Sequence, residues 1–147
     1  MEMGDNPLQN SALVPYQPQP GTEILRVGLP ERLRFWIETP DNVIEVNLKR
    51  ELLIGRRGST VRVDVDLTPY ESLEKGISRR HASIEIAENR LLLRDLNSSN
   101  GTRLNGKKLI PQHVYELNDG DIIQLGMLLL RVFFVSTKTA KLPRLPA

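Results

Sequence analysis

The sequence predicts an all-β fold, a sandwich or a barrel, and three observations carry that prediction. Apolar residues recur with period two in several segments, turn signals separate those segments about every 8 to 12 residues, and no long amphipathic helix is apparent. The chain has 147 residues, of which 39% are hydrophobic and 10 are glycine, enough for one compact domain with a buried core. No internal repeat is visible.

Residues 1–30 carry Pro7, Pro15, Pro18, Pro20 and Pro30 with Gln9, Gln17 and Gln19 among them. They show neither apolar periodicity nor bounded strand patterns, so a disordered Pro/Gln-rich tail is expected there. The folded domain is expected over residues 31–137. It starts with Leu33, Phe35 and Ile37 alternating with Arg34, Trp36 and Glu38. After the turn signal Thr39-Pro40-Asp41-Asn42, a second strand of a hairpin follows in Ile44, Val46 and Leu48. Leu52 to Ile54 form a short apolar strand. Val61, Val63, Val65 and Leu67 alternate with Arg62, Asp64 and Asp66 as a further strand, and Ile84 and Ile86 repeat the device. Asn105-Gly106 and Asn118-Asp119-Gly120 supply hairpin turns, because Asn and Gly tolerate the positive φ that such turns demand. Ile122 to Val135 is apolar on both parities and broken by Gly126, as expected of strands near the middle of a packed structure. Residues 138–147 hold Lys138, Lys141 and Arg144 without an acidic residue, which predicts a short, solvated basic tail.

Composition excludes several chemistries. With no cysteine, the chain has no disulfide, thiolate nucleophile or sulfur-ligated metal. The net charge of +2, from 20 Lys and Arg against 18 Asp and Glu, names no partner. No stretch approaches the roughly 20 apolar residues of a membrane helix, and the N-terminus lacks a signal pattern, so a cytoplasmic protein without a membrane partner is expected.

Three loop motifs stand between the strands: Gly55-Arg56, Ser78-Arg79-Arg80-His81 and Ser99-Asn100-Gly101-Thr102. Arg56 follows an apolar strand, so its guanidinium is carried on a rigid edge and offers a fork of donors suited to phosphate oxygens. Ser78 adds a hydroxyl donor, and Arg79 a second cation or a backbone amide. The Asn100 amide both donates and accepts, so it can hold the main chain of an extended peptide. Phosphate and peptide are thereby read by different groups.

Together these motifs resemble the forkhead-associated (FHA) domain over about residues 50 to 135, and Leu104-Asn105-Gly106, Asn118 to Asp121 and Leu125-Gly126 resemble its downstream pattern. The resemblance implies a β-sandwich of two mainly antiparallel twisted sheets that docks phosphothreonine segments of other proteins. It implies that Arg56 and Ser78 contact the phosphate, that Arg79 and Ser99 add contacts, and that Asn100 holds the peptide backbone. Gly55, His81, Gly101 and Thr102 support the site in this reading, His81 by bracing the loop and the glycines by permitting tight backbone geometry. The implied role is an adaptor in Ser/Thr kinase signalling. Its partners are phosphothreonine-containing proteins, a Ser/Thr kinase or its substrates among them, with no cofactor, metal, nucleic acid or small-molecule substrate. Residues 68–77 form a loop where specificity beyond the phosphate is set. Gly76 offers no side chain to read charge there, and Tyr70 either packs or meets the peptide. Thr22, in the N-terminal tail, is a candidate for phosphorylation followed by self-binding.

Rival readings are weaker. Ser78 and His81 lack the orienting acid and nucleophile elbow of a hydrolase, so no enzyme is expected. Gly55-Arg56-Arg57-Gly58 matches the Gly-x-x-Gly loop of a KH nucleic-acid binder, but that loop joins two helices and this one lies between strand patterns. A phosphate-independent scaffold is the other alternative. Asn97-Ser98-Ser99 and Asn100-Gly101-Thr102 match glycosylation acceptors and read more simply as turns. Ser11, Ser72, Thr22 and Thr68 read as polar surface.

Overall fold

The computed structural model describes residues 13–17, 28–58, 60, 62–70 and 72–136. Thr22, Ser11, most of the Pro/Gln-rich segment and all but one residue of the region after Val135 lie outside them.

Among the described residues eleven strands form two sheets: β1 (Arg32–Ile37), β2 (Thr39–Asn47), β3 (Glu51–Gly55), β4 (Val65–Asp66), β5 (Ala82–Ala87), β6 (Arg90–Asp95), β7 (Thr102–Leu104), β8 (Lys107–Lys108), β9 (Val114–Leu117), β10 (Ile122–Leu125) and β11 (Leu128–Val135). One sheet has the order β2-β1-β11-β10-β7-β8 and the other β4-β3-β5-β6-β9. All pairings but one are antiparallel, and the exception is β3 with β4. The expected sandwich of two mainly antiparallel sheets is the fold observed.

Alternation places the core. Leu33, Phe35 and Ile37 of β1 are fully buried and share one core cluster with Leu52, Ile54 and Ile84 of the other sheet. Their neighbours Arg34 and Trp36 face out, and Trp36 packs on Phe133 at 4.6 Å between ring centroids.

Three expectations shift in detail. The Thr39–Asn42 turn residues belong to β2, where the register slips between the Trp36–Val43 and Ile37–Thr39 pairs, and the reversal falls on Glu38 at φ 68°. Of the strand expected from Val61 to Leu67, Val61 lies outside the described residues, and among the rest only Val65–Asp66 are strand. Asp64 donates its backbone N–H to Leu53 O at 2.9 Å and its carboxylate accepts the Leu53 N–H at 2.8 Å, so a side chain takes the place of a ladder bond there. The apolar run Ile122–Val135 is a hairpin in the middle of its sheet, yet only one parity is buried. Ile122 and Leu129 on the other are 36% and 44% exposed. Among the described residues no helix is long and apolar enough to cross a membrane.

Candidate functional site

The loops β3–β4, β4–β5, β6–β7 and the β10–β11 turn gather at one end of the sandwich. Gly55 ends β3 under the β4–β5 loop: a Cβ there would stand 2.0 Å from the Arg79 carbonyl oxygen, so only glycine lets the two backbones approach this closely. The close approach sets up Arg56. Its amide donates to Ser78 O at 3.3 Å and its Nε to Ile77 O at 2.8 Å, which fixes the guanidinium and leaves its terminal nitrogens unspent. Arg57 turns away, with Nε 2.7 Å from Asp66 Oδ2 and its amide donating to Thr68 Oγ1. Among the described residues neither Arg56 nor Arg79 is paired with a carboxylate. Arg79 lies over Gly58, where a Cβ would come within 2.9 Å of the Arg79 Cδ.

Ser78 joins the second loop to the third. Its Oγ accepts the Ser99 N–H at 3.1 Å, so its own hydroxyl proton remains available to a ligand. The amide of Asn100 donates to Gly76 O at 3.0 Å, spanning the two loops and leaving its oxygen and second N–H proton for a peptide backbone. Arg56, Ser78, Ser99 and Asn100 thus converge at one site, with Arg79 on its rim.

His81 lies beneath them, fully buried. Its Nδ1 accepts the Ser78 N–H at 3.0 Å and its Nε2 donates to Gly101 O at 2.9 Å, a pairing that only the neutral Nε2–H tautomer satisfies. Burial holds its pKa below the ordinary histidine value, against the Gly101 carbonyl and the nearby Asp95 charge, which favour the proton. The neutral imidazole is therefore the resting form.

Asp95, which the sequence reading passed over, anchors the third loop. Its buried carboxylate accepts from Ser98 N–H (3.2 Å), Ser98 Oγ (2.5 Å) and Thr102 Oγ1 (2.6 Å), and Ser98 Oγ in turn accepts the Gly101 N–H. The signal was the spacing Asp95-x-x-Ser98, an acidic side chain positioned to cap its own turn. The β10–β11 turn was also missed. Gly126 N–H donates to Gly101 O and Met127 N–H to Lys75 O, stapling this turn to both loops. Ser72, expected at the surface, is buried at 4% exposure, and Tyr70 packs on the core. The Gly-x-x-Gly segment runs between two strands, and among the described residues no helix flanks it, which removes the structural setting of a nucleic-acid-binding loop.

No group of residues able to hold a metal occurs among the described residues. What the loops build is an exposed cationic notch with hydrogen-bond donors and a peptide-facing amide, at the end of a rigid sandwich. That combination fits a binding module whose centre suits an anionic group.

Comparison with known proteins makes the class specific. Residues 52–126 match the FHA domain, and the chain belongs to that family. FHA domains are phosphothreonine-peptide-binding modules rather than catalysts. An FHA domain-containing protein of Arabidopsis thaliana is 44% identical over 71 residues, covering 47% of this chain and 18% of that protein. The chain spans between 13% and 25% of the length of the curated relatives it matches. The solution structure of an A. thaliana FHA domain superimposes with TM-score 0.60 at 29% identity, covering 80% of this chain and 95% of that one. The N-terminal FHA domain of Saccharomyces cerevisiae Rad53p, solved with a phosphothreonine peptide, superimposes with TM-score 0.55 at 25% identity, covering 69% and 92%.

Proposed function

We propose that this chain is a phosphothreonine reader that docks phosphorylated partner proteins in Ser/Thr kinase signalling, as an adaptor rather than an enzyme. The observation that carries the reading is the Arg56 guanidinium, oriented by the Ile77 carbonyl, unpaired with any described carboxylate, and next to a Ser78 hydroxyl whose proton is free to donate. The likeness to a domain solved with a phosphothreonine peptide supports it.

The phosphate enters between Arg56 and Ser78, with Arg79 and Ser99 at its sides, and Asn100 grips the peptide backbone beyond it. The ligand is a phosphate of about −1.5 to −2 charge near neutral pH, so binding favours the dianion and weakens in salt and in acid. Past Asn100 the peptide meets Gly76, which carries no charge, and the shelf of Leu73 and Met127, exposed at 70% and 69%. An apolar residue downstream of the phosphothreonine fits that shelf better than an acidic one. Docking one peptide on three loops is a small interface, with affinity of roughly micromolar order.

Calorimetric titration of matched phosphothreonine, phosphoserine and unphosphorylated peptide pools tests the reading. Phosphothreonine is expected to bind selectively, and Arg56→Ala to weaken it at least about 30-fold through loss of a charge-assisted fork, with little change in thermal stability. Binding indifferent both to phosphate and to Arg56 would establish the scaffold reading instead.

A further inference from the structure

We propose that the free edge of β9 is a second peptide-binding site, which takes an extended segment of aliphatic-aliphatic-Pro-Tyr chemistry and is held in this chain by its own residues 13–17. β9 is the outermost strand of its sheet, so its outward carbonyls lack a ladder partner. Leu13 to Gln17 lie along this edge, and the Tyr16 N–H donates to Val114 O at 2.6 Å. Pro15 has no N–H to leave unpaired, which suits a residue lying on an edge.

Side chains supply the selectivity. Leu13 packs on the core and, with Val14, lines a cleft formed by Leu104, Tyr115 and the Asn118–Asp121 turn. The Tyr16 hydroxyl donates to Glu88, and its ring lies under the Arg90 guanidinium at 5.8 Å, a cation–π contact. Arg90 donates in turn to Glu116 of β9 at 2.8 Å, which closes a chain of contacts from the segment back to the edge it covers. An aromatic side chain with a hydroxyl is thus read at one position and an aliphatic pair at another, as in strand addition to a sheet edge.

The two sites are separate. Glu88 stands at the far end of β5 from His81, about 20 Å away at the strand rise per residue, so occupancy of one does not block the other. A segment tethered to its own domain acts at about millimolar effective concentration, so a free peptide competes poorly until the tethered one is displaced.

The test uses a fluorescent peptide spanning residues 11–19 and the full chain, wild type and Leu13→Asp/Tyr16→Ala. The variant is expected to bind the peptide at least about tenfold more tightly than wild type, and the same peptide carrying Tyr16→Ala is expected to lose that gain. Hydrogen exchange on the wild-type chain supplies a reading that does not depend on the variant folding: the Tyr16 amide is expected to be protected. A variant that melts cooperatively yet binds no better than wild type overturns the proposal, and so does an unprotected Tyr16 amide.

Discussion

At one end of the sandwich Asn105 and Gly106 reverse the chain in two residues, while at the other the path from β4 to β5 wanders through residues 67–81 before regaining the sheet. The turn end combines close pairs, with Asn118 N–H donating to Asp121 Oδ2 at 2.7 Å and Asp121 N–H to Asn118 O at 3.1 Å, with bonds from Asn105 to the start of β10, its Oδ1 accepting the Ile122 N–H at 2.9 Å and its Nδ2 donating to Asp121 Oδ1 at 3.1 Å. The loop end is held by partners far apart, His81 with Gly101, Ser78 with Ser99, Asn100 with Gly76, Met127 with Lys75. Local chemistry makes a turn anywhere, whereas a binding site needs groups from several loops fixed relative to one another, and only long-range bonds do that. The difference shows in two glycines. Gly55 has ordinary φ and no room for a Cβ. Gly106 has φ 86° and nothing within 4 Å of the position a Cβ would take.

The comparison breaks first at Gly55. Gly55→Ala drives a methyl into the Arg79 backbone carbonyl and is expected to cost more than about 3 kcal/mol, read as a lowered urea midpoint. Equal stability of the Gly55→Ala and Gly106→Ala proteins would dissolve the distinction. His81→Ala comes next, at about 2 to 3 kcal/mol, because it leaves the Ser78 N–H without its partner and takes from the Gly101 carbonyl one of its two donors. Phosphopeptide affinity is expected to fall with it, although His81 touches no ligand.

The same residue gives the comparison a pH axis. Burial depresses the His81 pKa in the folded state, so below the ordinary histidine value the unfolded chain binds a proton more readily. Its contribution is complete above about pH 6.5 and drains as pH falls through that value toward the depressed one. Chemical denaturation between pH 7.5 and 5.5 checks this, and His81→Gln should flatten the dependence in that window. Asp64 and Asp66 act lower. Burial alone would raise both carboxyls, but the Leu53 amide and Lys49 at Asp64, and Thr68 and Arg57 at Asp66, outweigh it and lower them. Their contributions are present above the ordinary carboxylate range and are lost as pH falls below it. Smallest is Gly106→Ala, at about 1 kcal/mol, since only backbone conformation opposes the methyl.

Much of this was legible in the sequence because strand alternation and Asn-Gly turns are local codes. Leu33, Phe35 and Ile37 announced a buried face, and the buried face is theirs. The β5–β6 reversal at Glu88-Asn89 gave no such signal: both residues adopt positive φ, 52° and 61°, without a glycine to mark it. At the candidate site, the motifs single out Arg56, Ser78 and Asn100, and the fold brings their loops together. Asp95 was not singled out, since a buried carboxylate serving three donors looks like any other Asp until the loop closes on it. The seating of Leu13 to Gln17 was hidden for a similar reason. Five residues carry no periodicity, and their partners Val114, Glu88 and Arg90 are distant in the chain.

One oxygen links these observations to how the domain matures. The Gly101 carbonyl accepts both the imidazole of His81 and the amide of Gly126, so the loops are locked only after the penultimate and last strands have met across the β10–β11 turn. Loop-closure entropy makes such distant pairings late events in folding. A nascent chain still lacking its final hairpin, or one nicked there, has Arg56 and Ser78 in place along the sequence but no common frame for them. The frame that holds Arg56 and Ser78 together is therefore complete only once β10 and β11 have paired, and the candidate site inherits the stability of that hairpin.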